Sequence, residues 1–231
     1  MTKEYSFYYK KDIISKVVKE ISDASEYKPE NGISENEFEA MCLFNSPDRY
    51  SCEDLIVGKI EKTDFACSEV VAEERHVSVD SKGRRNEYWT DIFRGFIFIA
   101  DFHKNFNGIT TLGRDSLFKI SFGNKRVKLE NVEFEKHFDV YSSDAVEARY
   151  ILSPSLMEKL VEVDNRFKGN LVMSFVNSSI YIAIPDSKNH FEASIWKKIT
   201  KEEIQEEFGL ILSLISIINE LNLNTRIWSK Q

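Results

Sequence analysis

Apolar positions along this chain follow two periods, and the change from one to the other organises it. In residues 6–22, Ile13, Ile14, Val17, Val18 and Ile21 recur at helical spacing, while Lys10, Lys11, Lys16, Lys19 and Glu20 occupy the rest of the wheel. That pattern predicts an amphipathic helix. Pro29–Gly32 ends it and reads as a linker. Residues 1–28 are therefore expected to form an amphipathic N-terminal helix, followed by a single α+β domain over 29–231. The helix opens on a basic, aromatic run (Tyr5, Phe7, Tyr8, Tyr9, Lys10, Lys11) that suits a membrane surface. Packing against its own domain is the simpler expectation.

Period-two alternation takes over after a short segment at 35–45 that reads as helix at its start. Strands are expected over Leu55–Lys62, Phe65–Val79 and Trp89–Phe102. Between the last two, DSKGRRN (Asp80–Asn86) is a turn in which Gly83 supplies a positive φ. In Trp89–Phe102, Ile92, Phe96, Phe98 and Phe102 share one face and Phe93, Ile97 and Ile99 the other. Apolar residues on both faces predict a central strand covered from both sides. Residues 103–124 read as loop with one short strand, and Asn170–Pro185 as a hairpin turning at Asn177–Ser179.

Thr200 and Glu203 form a capping-box pair at the head of a helix expected to run to about Asn222. Phe208, Ile211, Ile215 and Ile218 make one apolar stripe on it; Leu210, Leu214, Ile217 and Leu221 make another. A helix this apolar needs cover nearly all round. The chain's own sheet is the favoured cover, a homodimer through this helix the second, membrane contact the third. The fold expected is thus α+β: a mainly antiparallel sheet packed against a long C-terminal helix, with an inserted helical element.

Composition changes this picture little. The 231 residues are 42% hydrophobic and 13% aromatic, with 17 Phe, which is ample core material. The net charge of −7, with only short basic clusters, argues against a nucleic-acid partner. Cys42, Cys52 and Cys67 have no zinc-type spacing, and an odd count without a signal sequence fits a reducing cytoplasm. The most apolar run, Leu210–Ile218, is nine residues, against the roughly 20 needed to span a bilayer. No metal or other cofactor is expected. The GxSxG, HExxH, phosphate-loop and dinucleotide patterns are all missing.

The segment 131–160, NVEFEKHFDVYSSDAVEARYILSPSLMEKL, reads as a compact helix–strand–helix element. Its Val132-Glu133-Phe134-Glu135 start, Phe138-Asp139-Val140-Tyr141-Ser142, Asp144, Glu147-Ala148-Arg149-Tyr150-Ile151-Leu152 and Pro154 resemble the bacterial domain of unknown function 3137 family. Tyr50-Ser51-Cys52-Glu53-Asp54 with Gly58, Phe93-Arg94-Gly95, and the hairpin with its following helix extend the likeness over most of 40–222. The resemblance implies a bacterial protein and no catalytic residues. Many members look membrane-anchored, with hydrophobic spans ahead of the domain; residues 22–40 here are polar, so a partner would have to supply that association.

Within the element, Phe134, Phe138, Val140, Tyr150, Ile151 and Leu152 are core candidates, and Ser153-Pro154 is an N-cap with proline at the first helical position. Arg149 sits among apolar residues, where it needs a carboxylate such as Asp144, Glu147 or Asp139. That pair reads as a lock on the helix–strand junction, or alternatively as an anchor for an anionic ligand or a partner's carboxylate. His137, Asp139, Asp144 and Glu147 are acid–base types close together, to which His76 and His103 could be added. Three functions follow as expectations. The first is a non-enzymatic protein-interaction module, cytoplasmic or peripheral at the inner membrane, with an unidentified protein partner that suits a membrane protein. The second is a small-molecule or lipid-headgroup module, by analogy with pleckstrin-homology-like barrels. The third is a hydrolase using the His137/Asp139 region.

Overall fold

The computed structural model describes residues 14–21, 24–114, 117–119, 123–188 and 190, and positions 205, 209, 212–213, 216–219 and 221. In chain order the elements are α1 (Ser15–Ile21), β1 (Glu26–Lys28), α2 (Glu35–Ala40), β2 (Arg49–Ile60), β3 (Thr63–Val79), β4 (Arg85–Asp101), β5 (Thr110–Gly113), β6 (Lys125–Arg126), α3 (Val132–His137), β7 (Asp139–Ser142), α4 (Ala145–Ile151), α5 (Pro154–Arg166), β8 (Val172–Val176) and β9 (Ser179–Pro185). All nine strands join one sheet in the order β1-β2-β3-β4-β9-β8-β5-β7-β6. Every pairing in it is antiparallel.

This corrects the expected α+β class. Among the described residues there are five short helices, the longest of 13 residues, and no long C-terminal helix packs on the sheet. The expected capping pair Thr200/Glu203 lies outside the described residues, as do residues 1–13 of the expected N-terminal helix. The physical reason is visible in the strands. β3 and β4 run 17 residues each, and their alternation builds a sheet with two apolar faces, while α3 and α4 end where the backbone leaves the helical region at Phe138 and Leu152. Asn131, Asp144 and Ser153 each accept an amide of the turn they open.

One face of the sheet carries Phe65, Phe96, Phe98, Met173, Phe175, Ile180 and Ile182. Phe134 and Phe138 from the α3 region, Ala148 and Ile151 from α4, and Leu156, Leu160 and Val163 from α5 cover it, with Ile14, Val18, Ile217, Ile218 and Leu221. The opposite face carries Val70, Ala72, Phe93, Ile97, Val172 and Tyr181 under Phe38, Met41, Leu43 and Phe118. Each fully buried side chain of this size stabilises the fold by roughly 1.5–3 kcal/mol. The expected two-faced pattern of β4 holds from Phe93 onward. Ile92 is on the other side from Phe96 and Phe98, because the register shifts between Ala72 and Glu73 opposite Phe93 and Asp91; a bulge reverses which face follows. Tyr150 is 53% exposed rather than buried: on α4, Ala148 and Ile151 point inward and Tyr150 lies on the opposite side of the wheel.

The distal ends of β3 and β4 project from this sheet. β2 reaches no further along β3 than Arg49 opposite Glu73, and β9 no further along β4 than Pro185 opposite Gly95. Beyond those points β3 and β4 pair only with each other, from Glu74↔Thr90 to Val79↔Arg85. The ribbon closes on the Asp80–Arg84 turn, where Asp80 accepts the Lys82 and Arg84 amides and Gly83 has φ 77°. We call this two-stranded extension the arm.

Candidate functional site

The helical element places the five candidate residues in separate tasks. Asn131 caps α3, and its last residue, His137, points at α5, where His137 Nδ1 donates to the Asp164 carboxylate at 2.7 Å. Asp164 is 1% exposed and also accepts the Leu171 amide at 3.1 Å. The other ring nitrogen, Nε2, lies 3.9 Å from Glu133. Asp139, two residues on, faces a different partner: Arg126 of β6 pairs with it and lies 4.0 Å from Glu135. His137 and Asp139 are thus not brought together.

Asp144 is the N-cap of α4, accepting from the Val146 and Glu147 amides at 2.9 and 3.0 Å. Glu147 reaches the loop before β5 and accepts two successive amides, Asn107 at 3.0 Å and Gly108 at 2.8 Å. A Cβ at Gly108 would lie 2.7 Å from Ser143 Oγ and would displace the hydroxyl that accepts the Ile109 amide. Arg149 is exposed. Among the described residues its guanidinium meets no carboxylate and donates to the Ala145 carbonyl at 3.1 Å. The expected Arg149 ion pair is not formed because Asp144 and Glu147 are spent on backbone amides.

Two buried polar clusters escaped the sequence reading. In the first, His103 Nδ1 lies 2.8 Å from Asp101 and Nε2 lies 3.2 Å from Thr63 Oγ1. This is an acid–imidazole–hydroxyl chain, but Thr63 is 0% exposed, and a nucleophile must reach its substrate. The chain instead ties the β2–β3 turn to the end of β4. In the second, Glu69 on β3 accepts the His190 amide at 3.2 Å, and His190 Nε2 lies 3.1 Å from Asp186. The His190 ring packs on Phe96. Burial pushes the Glu69 carboxyl up to about 7; the His190 amide and ring oppose this, and Asp54 and Glu53 add to it. Asp54, itself buried, accepts the Tyr27 hydroxyl. Burial alone would raise Asp186 too, but the Lys188 amide and His190 hold it below the usual carboxylate range. Only the Asp101/His103 spacing could have pointed to either cluster; Glu69 and His190 are 121 positions apart.

Cys42, Cys52 and Cys67 form no disulfide with one another, and burial raises each thiol above its ordinary value, which makes them weak nucleophiles. Among the described residues no three His, Cys, Asp or Glu side chains gather as a metal site, and no helix is long and apolar enough to cross a membrane.

Among the described residues, the arm beyond its base is flanked by no other strand. Val77, Val79 and Tyr88 are 50%, 62% and 51% exposed. His76, expected near the other histidines, is on the arm, stacked on Tyr88 and 2.8 Å from Thr90. At the base, the Arg49 guanidinium lies 3.8 Å over the Trp89 ring.

A family model described as a protein of unknown function, DUF3137, matches residues 91–223, a span that includes all five candidate residues. No curated protein matches the chain in sequence. Among solved structures, the crystal structure of the mycobacterial trehalose monomycolate transport factor A, TtfA, aligns with 11% identity and a TM-score of 0.48, over 92% of this chain and 97% of that one. That is a loose likeness and assigns nothing to this chain.

Proposed function

Since the chain belongs to the DUF3137 family of proteins of unknown function, we propose a role from its own geometry: a non-enzymatic protein-interaction module that docks its partner on the arm. The observation that supports this is the exposure of Val77, Val79 and Tyr88 on a ribbon that leaves the sheet. An isolated two-stranded hairpin is marginal in water, and bare apolar side chains on it favour association. His137, Asp139, Asp144 and Glu147 serve this role indirectly, by fixing helices and loops against the sheet.

The test is recovery of partners from the source cells, membrane fraction retained, by the tagged chain and by a Val77→Glu/Val79→Glu variant. Both positions are exposed, so the variant's melting temperature is expected within a few degrees of the parent's. Recovery is expected to fall at least ~10-fold and to be reproduced with the purified partner. Equal recovery by both chains overturns the proposal.

A second reading has one observation in its favour. On α4, Val146 and Tyr150 are 78% and 53% exposed, with Arg149 between them and Lys104 Nζ 4.1 Å over the Tyr150 ring. An apolar, cationic patch of this kind suits an anionic lipid headgroup. Sedimentation with anionic vesicles that is unaffected by Arg149→Glu would dismiss it.

A further inference from the structure

We infer that the free edge of β4 pairs with the same edge of a second copy of this chain, joining two arms into one antiparallel sheet. This rests on the reading of the arm as the docking element and names its occupant.

The two edges of the arm are not equivalent. On the β3 side the base is closed: the Asp48 amide donates to the Glu73 carbonyl at 2.9 Å, and the Asp48 carboxylate accepts the Arg75 amide at 2.8 Å. On the β4 side, β9 stops at Pro185, which has no N–H to offer, and the last rung is the Asp186 amide to the Arg94 carbonyl at 3.1 Å. From Arg85 to Phe93, β4 has no outer strand among the described residues. That is an open edge of roughly 30 Å at ~3.3 Å per residue. Edges of this length are ordinarily guarded by proline, lysine and other charges, a bulge or a cover; here the bulge at Ile92 interrupts the base of the edge and the stretch from Arg85 to Asp91 is regular. Residues 85–94, RNEYWTDIFR, contain neither proline nor lysine, and Tyr88, Trp89, Thr90 and Ile92 favour strands.

The sequence of this edge is complementary to itself in a register that uses it from Arg85 to Asp91; an axis through Asn86 also opposes Arg85 and Glu87 but pairs only three residues of β4. A twofold axis through Tyr88 pairs Arg85 with Asp91 of the second copy, Asn86 with Thr90 and Glu87 with Trp89, each twice, and sets Tyr88 against Tyr88. Opposite charges directly across an antiparallel pair are favourable and like charges are not. The two adjacent registers are both unfavourable: an axis through Glu87 sets Glu87 against itself, and one through Trp89 sets Glu87 against Asp91 twice. The charge pattern therefore admits the central register and rejects its neighbours, which is how strand register is specified. Pairing about such an axis is isologous and closed, so it stops at two copies.

The experiment is sedimentation equilibrium of the full chain over a range of concentrations, with charge-exchange variants. The wild-type chain is expected to approach twice its 26.9 kDa mass. Arg85→Asp and Asp91→Arg, each placing like charges across the axis, are expected to weaken dimerisation at least ~10-fold. The double variant, which restores opposite charges, is expected to return to within about threefold of wild type. Asp91 also pairs with Arg94 at 2.9 Å, so the rescue by the double variant is the decisive comparison. As a second readout, Tyr88→Cys is expected to form an intermolecular disulfide under mild oxidation, because opposed Cα atoms in such a pair lie about 4.5–5.5 Å apart. The parent, whose Cys42 and Cys52 are partly exposed, sets the background. A wild-type chain that stays monomeric overturns the inference, as does a dimer indifferent to the single charge changes. If the Val77→Glu/Val79→Glu variant still loses its partner while the chain is monomeric, the second copy is ruled out and the interaction module stands. If that variant changes neither measurement, both fail.

Discussion

Asp164→Ala is expected to destabilise the fold by about 3 kcal/mol, because it leaves two donors stranded that cost ~1–3 kcal/mol each. The side chain is 1% exposed and divides its two oxygens between His137 Nδ1 at 2.7 Å and the Leu171 amide at 3.1 Å. It thereby joins α3, α5 and the entry to β8, three segments that pack on one face of the sheet. Alanine removes both acceptors at once, and the Leu171 amide, at a residue 1% exposed, is out of reach of water. For a chain of this size the loss corresponds to a fall in melting temperature of about 6–12 °C. Asp164→Asn keeps one acceptor for the Leu171 amide and removes only the acceptor that faces His137, so it should cost about 1 kcal/mol. Denaturant unfolding of the two variants checks this. An alanine variant within 0.5 kcal/mol of wild type, on the scale of a surface change, would mean that the pair does not hold these segments together.

Glu69→Gln is expected to change the pH dependence of stability more than stability at any one acidic pH. The carboxyl ionises near its ordinary 4.5 in the unfolded chain and at about 7 in the folded one, where burial disfavours the charge. Below about pH 4.5 it is protonated in both states and its burial carries no charge penalty. Between 4.5 and 7 the unfolded chain has lost the proton that the folded chain retains, so stability falls as pH rises. Above 7 the loss is complete, at an upper bound of about 3 kcal/mol for a shift of this size. Glutamine keeps an acceptor for the His190 amide and never ionises. The variant should therefore match wild type near pH 4 and exceed it by up to ~3 kcal/mol at pH 8.5. The groups facing Glu69 are His190, Asp54, Glu53 and Arg94; they are common to both chains and cancel in the difference. Parallel pH profiles for the two chains would show that Glu69 is not held protonated in the fold.

The parts of this molecule that could be read from sequence are those decided by near neighbours. Gly83 in DSKGRRN, the Asn177 turn between two apolar runs, and Ser153-Pro154 at a helix start each act over a few residues, and the β3–β4 turn, the β8–β9 hairpin and α5 are where those signals put them. The partners of buried polar groups are set by topology instead. Glu147 meets amides 39 and 40 positions away, and His137 meets Asp164 at a separation of 27. For the same reason Arg149 was expected to take a carboxylate that the fold had already committed to backbone amides.

The arm was hidden for a different reason. Alternation within β3 and β4 continues past the point where the neighbouring strands end, so periodicity extended the covered strand back to Trp89. What limits the cover is where β2 begins, at Arg49, and where β9 stops, at Pro185. The apolar stripes at 208–221 posed the converse problem: they called for a long helix on the sheet, whereas the elements described are a nine-stranded sheet and five short helices.

The claim at the centre of this account is that the arm serves association and not folding. It is tested most directly by excising residues 75–89 and closing Glu74 to Thr90, which face each other across the ribbon, with an Asn-Gly turn. Thermal unfolding and sedimentation are then measured on the same preparation. The account predicts a melting temperature within a few degrees of the parent, and a chain that neither dimerises nor recovers a partner. A shortened chain that unfolds, or one that associates as the parent does, would contradict it.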